Sequence, residues 1–177
     1  MPVSQAAYPS RSSSGPAFFL MLAMAAVVGA ALLFQHVGGY LPCKLCLEQR
    51  TPYYIGVPLM AVAWLAGAMR APRVIPRALL AVGGLLMLYG LYLSVYHAGV
   101  EWSFWPGPTD CGAVVSSNDT GGNGVLDSLN SVTPPACDHA ALRILGVSLA
   151  GWNAVASFIL AIVALWAAFR PRPAGAI

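Results

Sequence analysis

Four long apolar stretches, near residues 17–37, 53–69, 78–98 and 147–169, alternate with polar connections along the chain. Each approaches the ~20 residues that a helix rising ~1.5 Å per residue needs to cross ~30 Å of hydrocarbon. The pattern predicts an all-α fold, an integral membrane four-helix bundle. The second stretch is the shortest, so its helix is expected to begin earlier, between Cys46 and Thr51. In the long third connection Val125, Leu126, Leu129 and Val132 fit one face of a short surface helix, with Gly121-Gly122 and Pro134-Pro135 as hinges on either side. The expected organisation is a disordered segment over residues 1–16, a bundle domain over 17–169 with outward loops at about 38–51 and 99–146, and a tail over 170–177. Ala23-Met24-Ala25 has the small-residue pattern of a cleavage site. The apolar stretch around it is longer than the ~7 to 15 residues of a signal core, so the first span is expected to be retained.

Composition agrees with a bilayer environment: 58% of residues are hydrophobic and 8% charged, against about 25% charged in soluble domains. Charge then sets an orientation. Arg11, Arg70, Arg73, Arg77, Arg170 and Arg172 fall on the termini and the second connection, whereas the first and third connections carry Lys44, Arg50 and Arg143. The bias predicts cytoplasmic termini and outward-facing first and third connections. A net charge of +3 is thus a signature of topology and no argument for nucleic acid.

All four cysteines lie in the outward connections, in a compartment where disulfides persist. Cys43 and Cys46 have the two-residue spacing of a reactive pair or of a shared metal site, and Cys111 and Cys137 lie far apart in the long loop. Two structural disulfides are one reading. A c-type haem site would need His where Leu47 stands, and a four-cysteine zinc site would ordinarily have a second close pair. Pro42 is suited to starting a helical turn, which would put Cys46 near the N-terminus of the second helix, where backbone dipoles favour a thiolate. Arg50, four residues on, would share its face and is able to stabilise the thiolate, hold the carbonyl oxygen of a ring compound, or bind a lipid headgroup. Glu48 reads as a solvated charge.

Elsewhere the residues have plainer expectations. Tyr89, Tyr92 and Tyr96 share a face of the third helix, as a packed seam or an interfacial ring. The aromatics of residues 102–108 would hold the start of the long loop against the membrane. Asn153 is expected to bond across helices. His36 and His139 read as structural.

Gln35-His36, then Pro42-Cys43-Lys44-Leu45-Cys46-Leu47-Glu48-Gln49-Arg50, Tyr96-His97, the spaced Cys111 and Cys137, and Leu145-Gly146-Val147-Ser148 with Trp152 together resemble the bacterial DsbB family over about residues 17–169. The resemblance implies a four-helix inner-membrane enzyme that reoxidises a periplasmic DsbA-like thiol oxidase and passes electrons to ubiquinone or menaquinone. It implies that Cys111 takes the partner's thiol, that Cys137 attacks Cys43, and that Cys46 is released as the thiolate facing the quinone. Arg50 and His97 match positions associated with quinone binding. Many relatives carry Glu directly before the arginine, whereas this chain has Glu48-Gln49-Arg50; if that glutamate orients the arginine, Glu48 or Gln49 must do so here. A DsbA-like partner sits near about −120 mV, so few protein disulfides are oxidising enough to recharge it, and a quinone is the natural net oxidant. Alternatives are a quinone reductase of the vitamin K epoxide reductase type, whose active pair lies toward the end of its bundle, and a membrane scaffold with structural disulfides.

Overall fold

A computed structural model describes residues 11–108, 137 and 140–170. Its long helices are α1 (Arg11–His36), α3 (Thr51–Ala68), α4 (Val74–Glu101) and α5 (Leu149–Phe169), with a one-turn helix α2 (Lys44–Glu48) and strands β1 (Arg143–Ile144) and β2 (Val147–Ser148) between them. Three helices, over Ser14–His36, Val74–Glu101 and Leu149–Phe169, are long and apolar enough to cross a membrane. The 18-residue α3 is shorter, about 27 Å at 1.5 Å per residue, and it packs between α1 and α4 as the fourth member of the bundle. Alpha-helical packing closes through α5, which lies against both α4 and α1.

Contacts at the two ends establish the up-and-down path. At one end Ser14 of α1 lies over Gly67 of α3, and Arg77 of α4 donates to the carbonyl oxygen of Arg170 after α5 at 2.7 Å. Gln35, Gln49, His97 and Asn153 meet at the other end. The interior is built of small residues and methionines, including Ala17, Ala63, Ala161, Ala164, Met24, Met60 and Met87, all essentially inaccessible. Large apolar side chains such as Phe19, Leu85, Ile159 and Trp166 point outward instead. Such a distribution suits a lipid surround, where close helix approach through small residues replaces a water-driven core. Gly83 and Gly84 show why: a Cβ there would stand 2.5 Å from Met60 Cε and 2.6 Å from Leu165 Cδ2, on two sides of α4.

Three boundaries differ from expectation. Residues 11–16, expected to be disordered, form the first turns of α1, because Ser14 and Gly67 are small enough to bring that polar turn onto the end of α3. The second long helix begins at Thr51, at the far end of the expected range, with Pro52 in its first turn, but Cys46, expected near its N-terminus, belongs to the separate turn α2. Val147 and Ser148, the start of the expected last span, belong instead to a hairpin over 143–148, with Arg143 opposite Ser148 and Ile144 opposite Val147. Its two-residue turn has positive φ at both Leu145 (54°) and Gly146 (82°), the conformation whose twist matches a tight hairpin. The expected surface helix near 125–132, Cys111 and His139 lie outside the described residues.

Candidate active site

The turn α2 is organised by its first cysteine. Cys43 is the N-cap, in extended conformation, and its Sγ accepts the Cys46 backbone N–H at 3.3 Å. Its own S–H donates to Cys46 Sγ at 2.9 Å. That hydrogen bond is the main cause that lowers the Cys46 pKa to about 7, with a smaller contribution from the Arg50 charge and with burial opposing it. The same bond, aided by burial, pushes the Cys43 thiol far up. The pair therefore divides into a neutral thiol and a ready thiolate. The expected dipole of the long helix is not the source, because Cys46 does not lie on that helix.

Donor atoms of Cys43, Cys46 and His97 lie within 4.8 Å of one another. Two sulfurs bound to zinc at ~2.3 Å with tetrahedral angles would stand about 3.8 Å apart, and these touch at 2.9 Å. The arrangement serves sulfur–sulfur chemistry better than an ion.

Arg50 caps α3 and donates through Nη1 to Gln35 Oε1 of α1. Gln35, rather than the expected Glu48 or Gln49, is thus the side chain that orients Arg50. Glu48 is exposed, as expected of a solvated charge. Gln49 turns inward and is 6% exposed. Its Nε2 lies 2.7 Å from His97 Nδ1, and its Oε1 accepts from Asn153 Nδ2 at 2.8 Å. Asn153 also donates to Ser94 Oγ at 2.7 Å, whose hydrogen goes to the Gly90 carbonyl oxygen, while Asn153 Oδ1 accepts from Tyr53 Oη. This chain of partners orients both amides, so the Gln49 NH₂ faces His97 and Nδ1 accepts. The imidazole hydrogen then resides on Nε2.

His97 is buried, with Nε2 3.7 Å from Cys43 Sγ and 3.8 Å from Glu101 Oε1. Cys137 is also buried, clustering with Cys43, Leu45 and Val100, and it is disulfide-bonded, whereas Cys43 and Cys46 are free thiols. The described part of the third connection thus brings one loop cysteine beside the first pair. Cys111 falls outside the described residues. Trp152 Nε1 donates to the Ile144 carbonyl oxygen at 3.0 Å, pinning the hairpin over the start of α5. Exposed Tyr89 stacks on Tyr92, in keeping with an interfacial ring, whereas Tyr96 is partly buried against the Cys43 cluster and stacks on Trp105.

A cavity of about 460 Å³ opens beside these groups. Phe34, Tyr40, Leu41, Leu149 and Trp152 give it apolar walls, and Cys46, Arg50, His97 and Glu101 are its reactive or charged lining. Its size and chemistry suit a flat apolar ring with polar oxygens. Sequence reasoning placed Cys46, Arg50 and His97 here and missed Gln35, Gln49 and Glu101. Gln35 was part of the motif Gln35-His36, but nothing in a linear sequence shows which polar side chain turns inward.

Comparison with known proteins gives one consistent result. The family described as "Disulfide bond formation protein DsbB" matches residues 13–167. A disulfide bond formation protein B of Ralstonia nicotianae is 30% identical over 158 residues, covering 87% of this chain and 94% of that protein. One of an Azoarcus species is 29% identical over 168 residues, 89% and 93% of the two chains, and one of Acinetobacter baumannii is 28% identical over 165 residues, 86% and 90%. No solved structure matches.

Proposed function

The chain belongs to the DsbB family of membrane disulfide bond formation proteins, and from that membership we propose that it is a thiol:quinone oxidoreductase that reoxidises a periplasmic DsbA-like dithiol oxidase. The observation that carries this reading is the position of Cys46: a thiol held near a pKa of about 7 on the wall of an apolar cavity that also holds Arg50. A bound ubiquinone or menaquinone would supply a two-electron acceptor there. Arg50 would hold one of its oxygens, with Gln35 steadying the guanidinium.

In this reading the partner's thiolate attacks Cys111 and releases Cys137. Cys137, buried beside Cys43, then attacks Cys43 and releases Cys46 as the thiolate. Attack by a second partner thiol on the Cys111 link completes partner oxidation and frees Cys111. The Cys111 thiolate then attacks the Cys43–Cys137 bond at Cys137, which restores the loop disulfide and leaves Cys43 and Cys46 reduced. The pair returns to its disulfide by giving two electrons to the acceptor. His97 presents its Nε2 hydrogen toward Cys43 Sγ and supports negative charge there during each exchange.

The decisive experiment mixes the purified protein with a reduced DsbA-like protein and ubiquinone-1 and follows quinone reduction. Catalytic turnover supports the assignment, and a protein that neither reduces quinone nor oxidises the partner is a scaffold. The charge bias assigns both termini to the cytoplasm. An impermeant thiol reagent applied from outside should label single-cysteine variants at positions 46 and 111; labelling only after the membrane is broken reverses that orientation.

A further inference from the structure

We propose that Glu101 is a catalytic acid of this cavity, holding a proton at Oε2 and delivering it to a carbonyl oxygen of the electron acceptor. The inference rests on the thiol:quinone reading and deepens it. Glu101 closes α4, lines the cavity, and its side chain is 5% exposed. Its Oε1 has His97 Nε2 at 3.8 Å, whereas Oε2 is buried with no hydrogen-bond partner among the described residues. Buried polar atoms are seldom left in that state, and each exception calls for a reason. A carboxylate oxygen can only accept, but a protonated one donates an O–H. A carbonyl oxygen entering the cavity is the partner that such an oxygen lacks.

The groups that face Glu101 come from several elements: His97 from its own helix, Cys43 and Cys46 from the N-cap and body of α2, Arg50 from the start of α3, and Arg143 and Ser148 from the hairpin. The Arg143 charge and the Ser148 hydroxyl favour the carboxylate, and so would support the form that remains once the proton has been delivered. The stoichiometry needs such a donor. Cys46 titrates near neutral pH, so in its reactive form the pair carries one proton, on Cys43, while full reduction of a quinone takes two electrons and two protons. In the balanced step the Cys43 S–H bond breaks and the Cys43–Cys46 S–S bond forms. The two electrons and the protons of Cys43 and Glu101 pass to the quinone, forming one O–H bond at each of its two oxygens. Glu101 is left as a carboxylate, and the outer aqueous phase returns its proton. The net charge is −1 before and after.

Two measurements on the full-length protein in nanodiscs test this. Single-turnover oxidation of the reduced protein by ubiquinone-1 should be about 100-fold slower in Glu101→Gln, the scale of a lost general acid. The half-saturating quinone concentration should be little changed, because the amide still donates a hydrogen bond, and Glu101→Asp should recover part of the rate. Separately, infrared spectra of the reduced, quinone-free protein carrying ¹³C-labelled glutamate should contain a protonated carboxylic acid band near neutral pH that Glu101→Gln removes. A wild-type rate in Glu101→Gln, or the lack of that band, overturns the proposal. If wild-type protein does not reduce ubiquinone-1 at all, the thiol:quinone reading fails, and the infrared band, which needs no quinone, still decides whether Glu101 holds a proton.

Discussion

Gln49 Nε2 lies 2.7 Å from His97 Nδ1, joining the turn beside the cysteine pair to the helix that carries the imidazole. Through Asn153, Ser94 and Tyr53 the same side chain reaches α5, α4 and α3. One buried amide thus sets which nitrogen of His97 faces Cys43. Replacing Gln49 with Ala would strand His97 Nδ1 and leave Asn153 Nδ2 with Ser94 Oγ as its remaining acceptor. Stability should fall by about 1–3 kcal/mol, the cost of buried groups left unpaired, measured by thermal unfolding in detergent. Nitrogen NMR of His97 should show a single Nε2–H tautomer in the parent and lose it in the variant. An unchanged tautomer would remove Gln49 from the site.

Cys46 should react with an alkylating agent in proportion to its thiolate, so its rate in the reduced protein should rise with pH through a midpoint near 7. The largest lowering cause is the Cys43 hydrogen bond. In Cys43→Ala that donor is gone, the thiolate loses stabilisation, and the midpoint should move up toward the ordinary thiol value. A midpoint that stays near 7 would assign the effect to Arg50 instead.

Arg50→Met should raise the apparent KM for quinone strongly while the protein remains folded in membranes, because the cation at the cavity wall is lost. Gln35→Ala should shift KM the same way by a smaller factor, since the guanidinium keeps its charge and loses only its tether to α1. An Arg50→Met enzyme with parental quinone dependence would make this arginine a headgroup anchor.

The order of thiol exchange is readable by non-reducing electrophoresis with a DsbA-like protein. In Cys137→Ser the loop disulfide cannot form, so flow from partner to quinone should stop while quinone still oxidises the Cys43–Cys46 pair. In Cys46→Ser the unpaired Cys43 should take Cys137 out of the loop disulfide, and the Cys111 thiolate so released should attack the disulfide of the oxidised partner, leaving Cys111 joined to it in a long-lived, reductant-sensitive complex. Full partner oxidation by either variant would return the loop cysteines to a structural role.

Much of this protein is legible along the chain. Apolar stretches of membrane-crossing length define an α-helical membrane protein because the bilayer demands internally hydrogen-bonded backbone. The spacing of Cys43 and Cys46 and the arginine four residues on mark the candidate site, since those relations are local. The break between α2 and α3 was hidden, because a turn capped by Cys43 and a helix opened at Pro52 have the same apolar signature as one continuous span. So was the division of labour among polar residues. Gln35, Gln49, Asn153 and Glu101 are distant in sequence and come to one end of the molecule only when α1, α3, α4 and α5 close into the bundle. Which of them turns inward is a matter of helix phase and packing, and a buried polar group takes its partner from whichever helix the bundle places beside it. Sequence thus determined the membrane class and the reactive pair. Tertiary structure alone decided how the thiol proton, the guanidinium and the imidazole are held, because each depends on a partner supplied by another helix.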